Sequence, residues 1–202
     1  YFEGIDKISP DDIDYGKQLN FVLKPLSVGM QNKDQISLGS FPAFVKTDSL
    51  LASIQNENNA VLVNAENVGG TMFSGPGAGA KPTANSVLSD VIDIARGKIF
   101  DYGKFVQQDL SSSFDNFSCD RYLKLQVNDK PGVVAKISTL LANNNLSIDN
   151  LIQKELERSD DQIPLVIVLS NSDETTIQET IKELEALDEV SGPLTHIRIL
   201  DI

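Results

Sequence analysis

A glycine-rich segment is the first part of the chain whose residue types could do chemistry. Residues 74–83 read SGPGAGAKPT and lead from a predicted strand directly into a predicted helix. Backbone amides at such a helix start favour an anionic ligand. The Gly-x-Gly-x-Gly spacing matches neither the dinucleotide fingerprint nor a phosphate-binding loop. A tight structural turn is therefore at least as good an interpretation as a cofactor contact.

A second candidate site is the loop at residues 128–133, which reads NDKPGV. Gly132 allows close backbone approach, and the amides of a following helix start favour a carboxylate. Asp129 could meet an ammonium group, so the loop has the complementary charges of an amino-acid site. The alternative is a turn that only starts a helix, with Pro131 near the first helical position.

The remaining reactive side chains predict no catalytic centre. His196 is the single histidine and lies in a predicted strand, which favours a structural role. Cys119 is the single cysteine, so it has no disulfide partner and no metal-ligand companion. We predict no metal site and a reducing, cytoplasmic compartment.

The elements that position the loop at residues 128–133 form a strand–helix–strand–strand–helix–strand series between residues 120 and 202. Residues 122–127 alternate as a half-buried strand, and residues 133–141 carry apolar side chains at helical spacing. Two strands at 147–152 and 164–169 flank a charged hairpin at 155–161, and a helix and a last strand follow. This order predicts a ferredoxin-like βαββαβ domain.

Residues 1–97 predict a mostly antiparallel sheet with helices. A helix starts at Ser9 as N-cap, with Pro10 and Asp12 completing a variant capping box. Strands follow at 21–30, 35–44, 60–63 and 71–73, and a helix after the glycine-rich segment ends at Gly97. Pro25 cannot donate to a ladder, so its strand is bulged or at an edge. The fold class is thus α+β, with units at 1–97 and 120–202.

Residues 98–119 are predicted to link the two units. The serine run at 111–113 is typical of a connector. Four phenylalanines indicate that part of the connector packs: Phe100, Phe105, Phe114 and Phe117.

Both units resemble known families. The loop at residues 129–133 and the element order around it resemble an ACT domain. Residues 2–97 resemble the C-terminal half of the homoserine dehydrogenase catalytic region, and an ACT domain after it is the usual bacterial order. The resemblance is carried by Glu3-Gly4-Ile5, Asn59-Ala60-Val61, the GPGAG segment at 75–79, Pro82-Thr83-Ala84, Val87 and Asp90.

The resemblance implies sites and ligands. Gly79 would contact an NADP or NAD cofactor, and residues Asp129, Gly132 and Val133 would bind an amino-acid effector, most commonly threonine, between two such modules. The parent enzyme would reduce aspartate 4-semialdehyde to homoserine, as a homodimer or higher oligomer. Lys24 matches a strand position outside the catalytic set and is interpreted as structural. The catalytic lysine and dinucleotide-binding domain are expected ahead of Tyr1, so this piece alone should be inactive.

Composition limits the alternatives. The chain has 202 residues and a formal charge of −12, which disfavours nucleic acid or an anionic membrane surface as partner. It contains no apolar run long enough to span a bilayer. The competing hypothesis is a stand-alone amino-acid sensor or oligomerisation module. Such a module would have no need for the glycine-rich segment.

Overall fold

The computed structural model describes residues 1–32, 35–98, 111–153 and 162–202. These residues form four helices and nine strands in a mixed α+β arrangement, which confirms the predicted fold class. The helices are α1 Pro10–Gln18, α2 Ala80–Ala95, α3 Val133–Asn143 and α4 Glu174–Glu185, and a 3-10 turn covers Leu50–Ser53. The strands are β1 Phe21–Asn32, β2 Gln35–Lys46, β3 Asn58–Ala65, β4 Gly69–Pro76, β5 Ser111–Ser112, β6 Cys119–Asn128, β7 Ile148–Gln153, β8 Gln162–Ser172 and β9 Val190–Leu200.

One large sheet holds most of the strands. Its order is β1-β2-β9-β6-β8-β7, and the short β5 pairs with β2. The four strands β9-β6-β8-β7 and helices α3 and α4 form the predicted βαββαβ unit. β2 runs parallel to β9, with Ala43 opposite Arg198, so the N-terminal hairpin extends this sheet.

The chain divides into two compact units whose limits differ from a simple N- and C-terminal split. The described residues within 1–46 and 110–201 form the first unit, and those within 47–109, together with Ile202, form the second. The domain boundaries predicted at residues 97 and 119 remain predictions. The expectation that the strands of residues 1–97 share one sheet is wrong. Among the described strands, β3 and β4 pair with each other alone, whereas β2 uses its second edge for β9.

Alternation along the central strands produces two apolar layers on the large sheet. One layer packs α3 and α4 against strand residues such as Leu123, Leu165 and Ile167. The opposite layer packs Tyr15 of α1 against Phe44, Tyr122 and Ile197. β8 places Leu165 and Ile167 in the first layer and Val166 and Val168 in the second, so this strand is covered on both faces. That coverage explains the continuous apolar run LVIVL at residues 165–169.

Among the strands that the structure describes, β1 lies at an edge of the large sheet and pairs with β2 alone, which confirms the prediction from Pro25. Phe114 and Phe117 pack into an apolar cluster with Phe41, so this part of the predicted connector belongs to the core. Phe100, Phe105 and the charged hairpin at 155–161 lie outside the described residues. No helix in the described parts of the chain is long and apolar enough to cross a membrane.

Candidate functional site

The glycine-rich turn joins β4 to α2 within the second unit. α2 begins at Ala80 after the N-cap residue Gly79, whose φ is 103° and ψ 156°. Residues with a side chain rarely adopt this conformation, so glycine is required there. Thr83 closes the first turn, because its Oγ1 donates to the Gly79 carbonyl at 2.8 Å. The first amides of a helix have no intrahelical acceptor, which leaves this exposed end able to receive an anionic group.

The other two glycines of the turn have different physical reasons. The Gly77 amide donates to the Glu57 carbonyl at 2.8 Å, and a Cβ at Gly77 would collide with the Asn59 side chain. A side chain at position 77 would therefore require the Asn59 side chain at the start of β3 to move. A Cβ at Gly75 would meet no atom within 4 Å. Open space thus lies beside Gly75, and the positive φ belongs to Gly79.

The loop between β6 and α3 is the second predicted site. Gly132 is the N-cap of α3 in a left-handed conformation, with φ 94° and ψ −14°. A Cβ added there would meet nothing within 4 Å, so the space beside the helix start is open. Asp129 is exposed, and its carboxylate has no hydrogen-bond or ion-pair partner among the described residues. Both features are compatible with a small charged ligand.

Val133 contributes differently from the other two loop residues. Its side chain is buried in the core with Ile137 and Leu141 of the same helix. Its amide donates to the Lys130 carbonyl at 3.3 Å, a long hydrogen bond within the turn. The side chain of Val133 therefore anchors the helix start, and only its backbone is near the open space.

A shallow groove on the helix layer lies beyond this loop. It has a volume of about 400 Å³ and is lined by Lys136, Thr139, Leu140, Asn143, Glu183 and Leu187 of the α3 and α4 region. Lys136 forms an ion pair of 2.8 Å with Glu189. The predicted loop residues do not line this groove.

Sequence reasoning missed a buried ion network in the first unit. Glu174, in the first turn of α4, accepts hydrogen bonds from Arg121 at 2.8 Å and from Arg198 through two nitrogens. Arg198 also donates to Glu3 at 2.7 Å. Both arginine side chains are fully buried. Burial raises the pKa of Glu174, but the hydrogen bonds and charges of the two arginines outweigh it and leave that pKa below its usual value.

Aromatic rings complete the surroundings of Arg198. Its guanidinium lies 4.5 Å from the ring centre of Tyr1 and 4.6 Å from that of Phe41. Burial lowers the pKa of Arg198, but bonds to Glu174 and Glu3 outweigh this effect and raise it. The only sequence signal for the network was the presence of charged residues in otherwise apolar strands.

A second buried carboxylate, Asp12, fixes α1 to the sheet. It accepts hydrogen bonds from the Ser9 amide at 2.8 Å and the Tyr122 hydroxyl at 3.0 Å. Lys124 forms an ion pair with it at 2.7 Å. Burial and the Asp12 charge raise the pKa of Tyr122, so that hydroxyl stays protonated.

His196 is half-buried and Cys119 is buried in the same unit. The Nε2 atom of His196 is buried without a hydrogen-bond partner in the described part of the structure, which is consistent with a structural role. Burial raises the pKa of the Cys119 thiol to about 11. The described residues contain no cluster of histidine, cysteine and carboxylate side chains that could hold a metal ion.

Comparison with known proteins finds two family matches that follow each other along the chain. Residues 1–92 match the homoserine dehydrogenase family model, and residues 121–189 match the ACT domain model. The chain is similar to homoserine dehydrogenases along nearly all of its length. The homoserine dehydrogenase of Pseudomonas aeruginosa is 35% identical over 98% of the chain and 48% of its own length. That of Neisseria gonorrhoeae is 37% identical, also over 98% of the chain and 48% of its own length.

A solved structure has the same fold. The crystal structure of a homoserine dehydrogenase from Thiobacillus denitrificans aligns with a TM-score of 0.83 and 30% identity, covering 98% of this chain and 47% of that one. The chain thus spans about half the length of the relatives that it matches.

Proposed function

We propose that the chain is the regulatory and substrate-side part of an NAD(P)-dependent homoserine dehydrogenase, which interconverts aspartate 4-semialdehyde and homoserine. One observation carries the proposal: a homoserine dehydrogenase segment and an ACT segment follow each other in one chain. Each segment alone is compatible with other proteins. Their order and the similarity over 98% of the chain favour this enzyme.

The turn before α2 fits part of a nicotinamide cofactor. Gly79 holds a backbone conformation that brings the helix start to the surface, and open space lies beside Gly75. The exposed helix start favours an anionic or polar group of a dinucleotide. We assign Gly79 to cofactor contact. When bound, the cofactor supplies the hydride, and either NADP or NAD is compatible with these residues.

Among the described residues, we assign no group to the proton transfer that accompanies hydride transfer. We place the catalytic lysine and the carboxylates that hold homoserine in the half of the relatives that this chain does not span. The 202-residue chain alone should therefore be inactive.

The loop between β6 and α3 is proposed as the effector site. Asp129 would hold the ammonium group of an amino acid, and the helix start at Gly132 and Val133 would receive its carboxylate. Threonine, an end product of the pathway, is the proposed effector. Regulation then requires that threonine bind one of two arrangements of the enzyme more tightly. A cytoplasmic homodimer or higher oligomer is part of the same proposal.

Calorimetric titration tests the regulatory part. Threonine should release or absorb heat with the native chain and with the exposed-acid control Asp11→Ala, but not with Asp129→Ala. Equal heats for the native chain and Asp129→Ala would show that threonine binds outside this loop. No heat with the native chain would leave the ACT segment as an oligomerisation element.

Steady-state assays test the catalytic part. The 202-residue chain is mixed with NADPH and aspartate 4-semialdehyde, and oxidation of NADPH is followed. No turnover is expected. Turnover by this chain alone would contradict the assignment of the proton-transfer groups to the other half.

A further inference from the structure

The junction between β2 and β9 is short for a contact that joins two parts of one sheet. Among the described residues, three pairs are in parallel register: Ala43 with Arg198, Phe44 with Ile199 and Val45 with Leu200. In contrast, twelve pairs join β1 to β2. The backbone pairing of β2 with β9 therefore specifies the register of this junction only weakly.

The apolar side chains of the junction are compatible with more than one register. Phe44 and Ile199 lie in one apolar cluster, and Ala43 and Leu200 lie in another. A shift of β2 by one residue is unfavourable, because it turns every side chain to the other face. A shift by two residues, about 6.6 Å, keeps each side chain on its own face. The apolar contacts therefore distinguish poorly between registers that are two residues apart.

A buried ion pair crosses the junction. The side chain of Arg198 on β9 is fully buried and donates to Glu3 at 2.7 Å. Glu3 is attached to β2, because its amide donates to the Ser40 carbonyl at 3.0 Å. The ring centre of Phe41 on β2 lies 4.6 Å from the Arg198 guanidinium. Arg198 thus contacts β2, and the segment attached to it, at one defined position along the strand.

The charges of the buried network are neutralised only in this register. Arg121 and Arg198 both bond to Glu174, which belongs to the βαββαβ unit and keeps its place when β2 shifts. Glu174 carries one negative charge, so Glu3 must supply the second. A shift of β2 by two residues carries Glu3 away from Arg198. One buried positive charge then has no counter-charge, which is strongly unfavourable.

We infer that the Arg198–Glu3 ion pair sets the register of the junction between β2 and β9. Stability alone does not require such a pair, because apolar side chains of similar volume often give equal stability. A single buried polar residue fixes the register of coiled coils whose apolar contacts allow several. In this unit the pair gives the β1–β2 hairpin and the βαββαβ sheet one relative position.

A double substitution tests this inference, because it removes the pair and leaves the rest of the network neutral. In Arg198→Met/Glu3→Met, Arg121 and Glu174 remain as one positive and one negative charge. Methionine is flexible and packs well against aromatic rings such as that of Phe41. Backbone amide NMR of the 202-residue chain counts the signals from residues 43–45 and 198–200. Urea denaturation gives the midpoint of unfolding.

Lys46 and Asp201 provide a matched control at the end of the same junction. Their side chains form an ion pair of 2.8 Å, but they are 51% and 79% exposed. Lys46→Met/Asp201→Met removes two opposite charges from the same part of the sheet without leaving a buried charge unpaired. An exposed ion pair contributes little, so this variant should keep the native register.

The native chain and the control should give one signal for each amide of the junction. The double variant should keep a midpoint close to the native value, because the two methionines remain packed. It should also show a second set of junction signals, with an intensity of about 10% or more of the first. The second set should be independent of protein concentration, since it arises from a shifted register within one chain.

Several results would overturn the inference. One set of signals in a double variant with the native midpoint would show that backbone pairing and apolar contacts set the register. One set of signals with a much lower midpoint would give the ion pair a stabilising role instead. A second set that also appears in the control, or that disappears on dilution, would have an origin other than the loss of the buried pair.

Glu3→Met alone decides the question if the double variant does not fold. Arg198 then keeps its bonds to Glu174, and position 3 is partly exposed, so this chain should fold. Both registers now leave Arg198 with Glu174 alone, and a second set of signals is expected at residues 43–45. A folded Glu3→Met chain with one set of signals would reject the role of the pair in setting the register.

Discussion

Arg198 and Glu3 lie 195 residues apart in the sequence, yet the Arg198 Nη1 atom donates a 2.7 Å hydrogen bond to Glu3 Oε2. Arg198 lies in β9, the last strand of the βαββαβ unit, and Glu3 lies in the segment that matches homoserine dehydrogenases. The backbones of β2 and β9 also pair in parallel within the same sheet. The βαββαβ sheet and the first residues of the chain therefore form one packed unit.

Glu174→Gln should destabilise this unit strongly. Glu174 neutralises two fully buried arginines, and loss of one partner of a buried ion network costs about 3–5 kcal/mol. Urea denaturation followed by circular dichroism measures the change. Glu179→Gln on the exposed side of the same helix is the matched control and should stay within about 0.5 kcal/mol of the native chain. Equal effects of the two substitutions would show that the buried ion network does not stabilise the unit.

Asp12→Asn should weaken the attachment of α1 to the sheet. The amide cannot form the ion pair with Lys124 and leaves that partly buried ammonium without its counter-charge, although it still donates to Ser9 Oγ at 2.7 Å. A hydrogen bond to a charged group contributes about 1.5–3 kcal/mol, and a loss of that size is expected in denaturation. Asp11→Asn, an exposed neighbour, should change little. An unchanged midpoint for Asp12→Asn would mean that water replaces these contacts.

The stability of the first unit should fall as the pH drops below about 6.5. Burial, aided by the charges of Arg198 and Arg121, lowers the pKa of His196 well below its usual value. The unfolded chain therefore binds a proton near pH 6.5 that the folded chain does not, and stability declines by up to about 1.4 kcal/mol per pH unit. Denaturation midpoints between pH 8 and 5 measure the slope.

His196→Leu is the control for this slope and should flatten it between pH 7 and 5. Glu174 titrates in a different window. Its lowered pKa makes its contribution complete above about pH 4.5 and lost only as the pH falls through the folded value. If the free energy of unfolding of the native chain were constant from pH 7.5 to 5.5, His196 would take up a proton in the folded chain as readily as in the unfolded chain.

Local sequence patterns are sufficient to predict several helix starts and strand positions. Ser9, Pro10 and Asp12 predicted the start of α1, and the Ser9 amide does donate to Asp12 at 2.8 Å. Pro25 predicted an edge strand, and β1 is one. These features depend on neighbouring residues, whose conformational preferences act within one turn.

Long-range pairing could not be predicted in the same way. The second oxygen of Asp12 binds Tyr122 and Lys124, more than a hundred residues away in the sequence. The parallel pairing of β2 with β9 likewise depends on which strand edges remain free after the ACT sheet has formed. Nothing in the residues around Ala43 specifies Arg198 as its neighbour. For the candidate sites, the glycine positions were predictable, whereas the burial of Val133 required the packed core.

Gly132→Ala should distinguish a role of Gly132 in threonine binding from its role in the stability of the first unit. Gly132 has a φ of 94°, and a Cβ there would meet no atom within 4 Å, so the cost is conformational and amounts to about 1–2 kcal/mol. Gly192→Ala is a matched control, since Gly192 has a φ of 70° and equally open surroundings in the same unit. Both variants should show similar falls in the free energy of unfolding. Only Gly132→Ala should also weaken threonine binding in calorimetry, because the methyl group occupies the open space beside the helix start that the carboxylate would use. Equal threonine affinity in the two variants would leave Gly132 as a turn residue whose sole role is to begin α3.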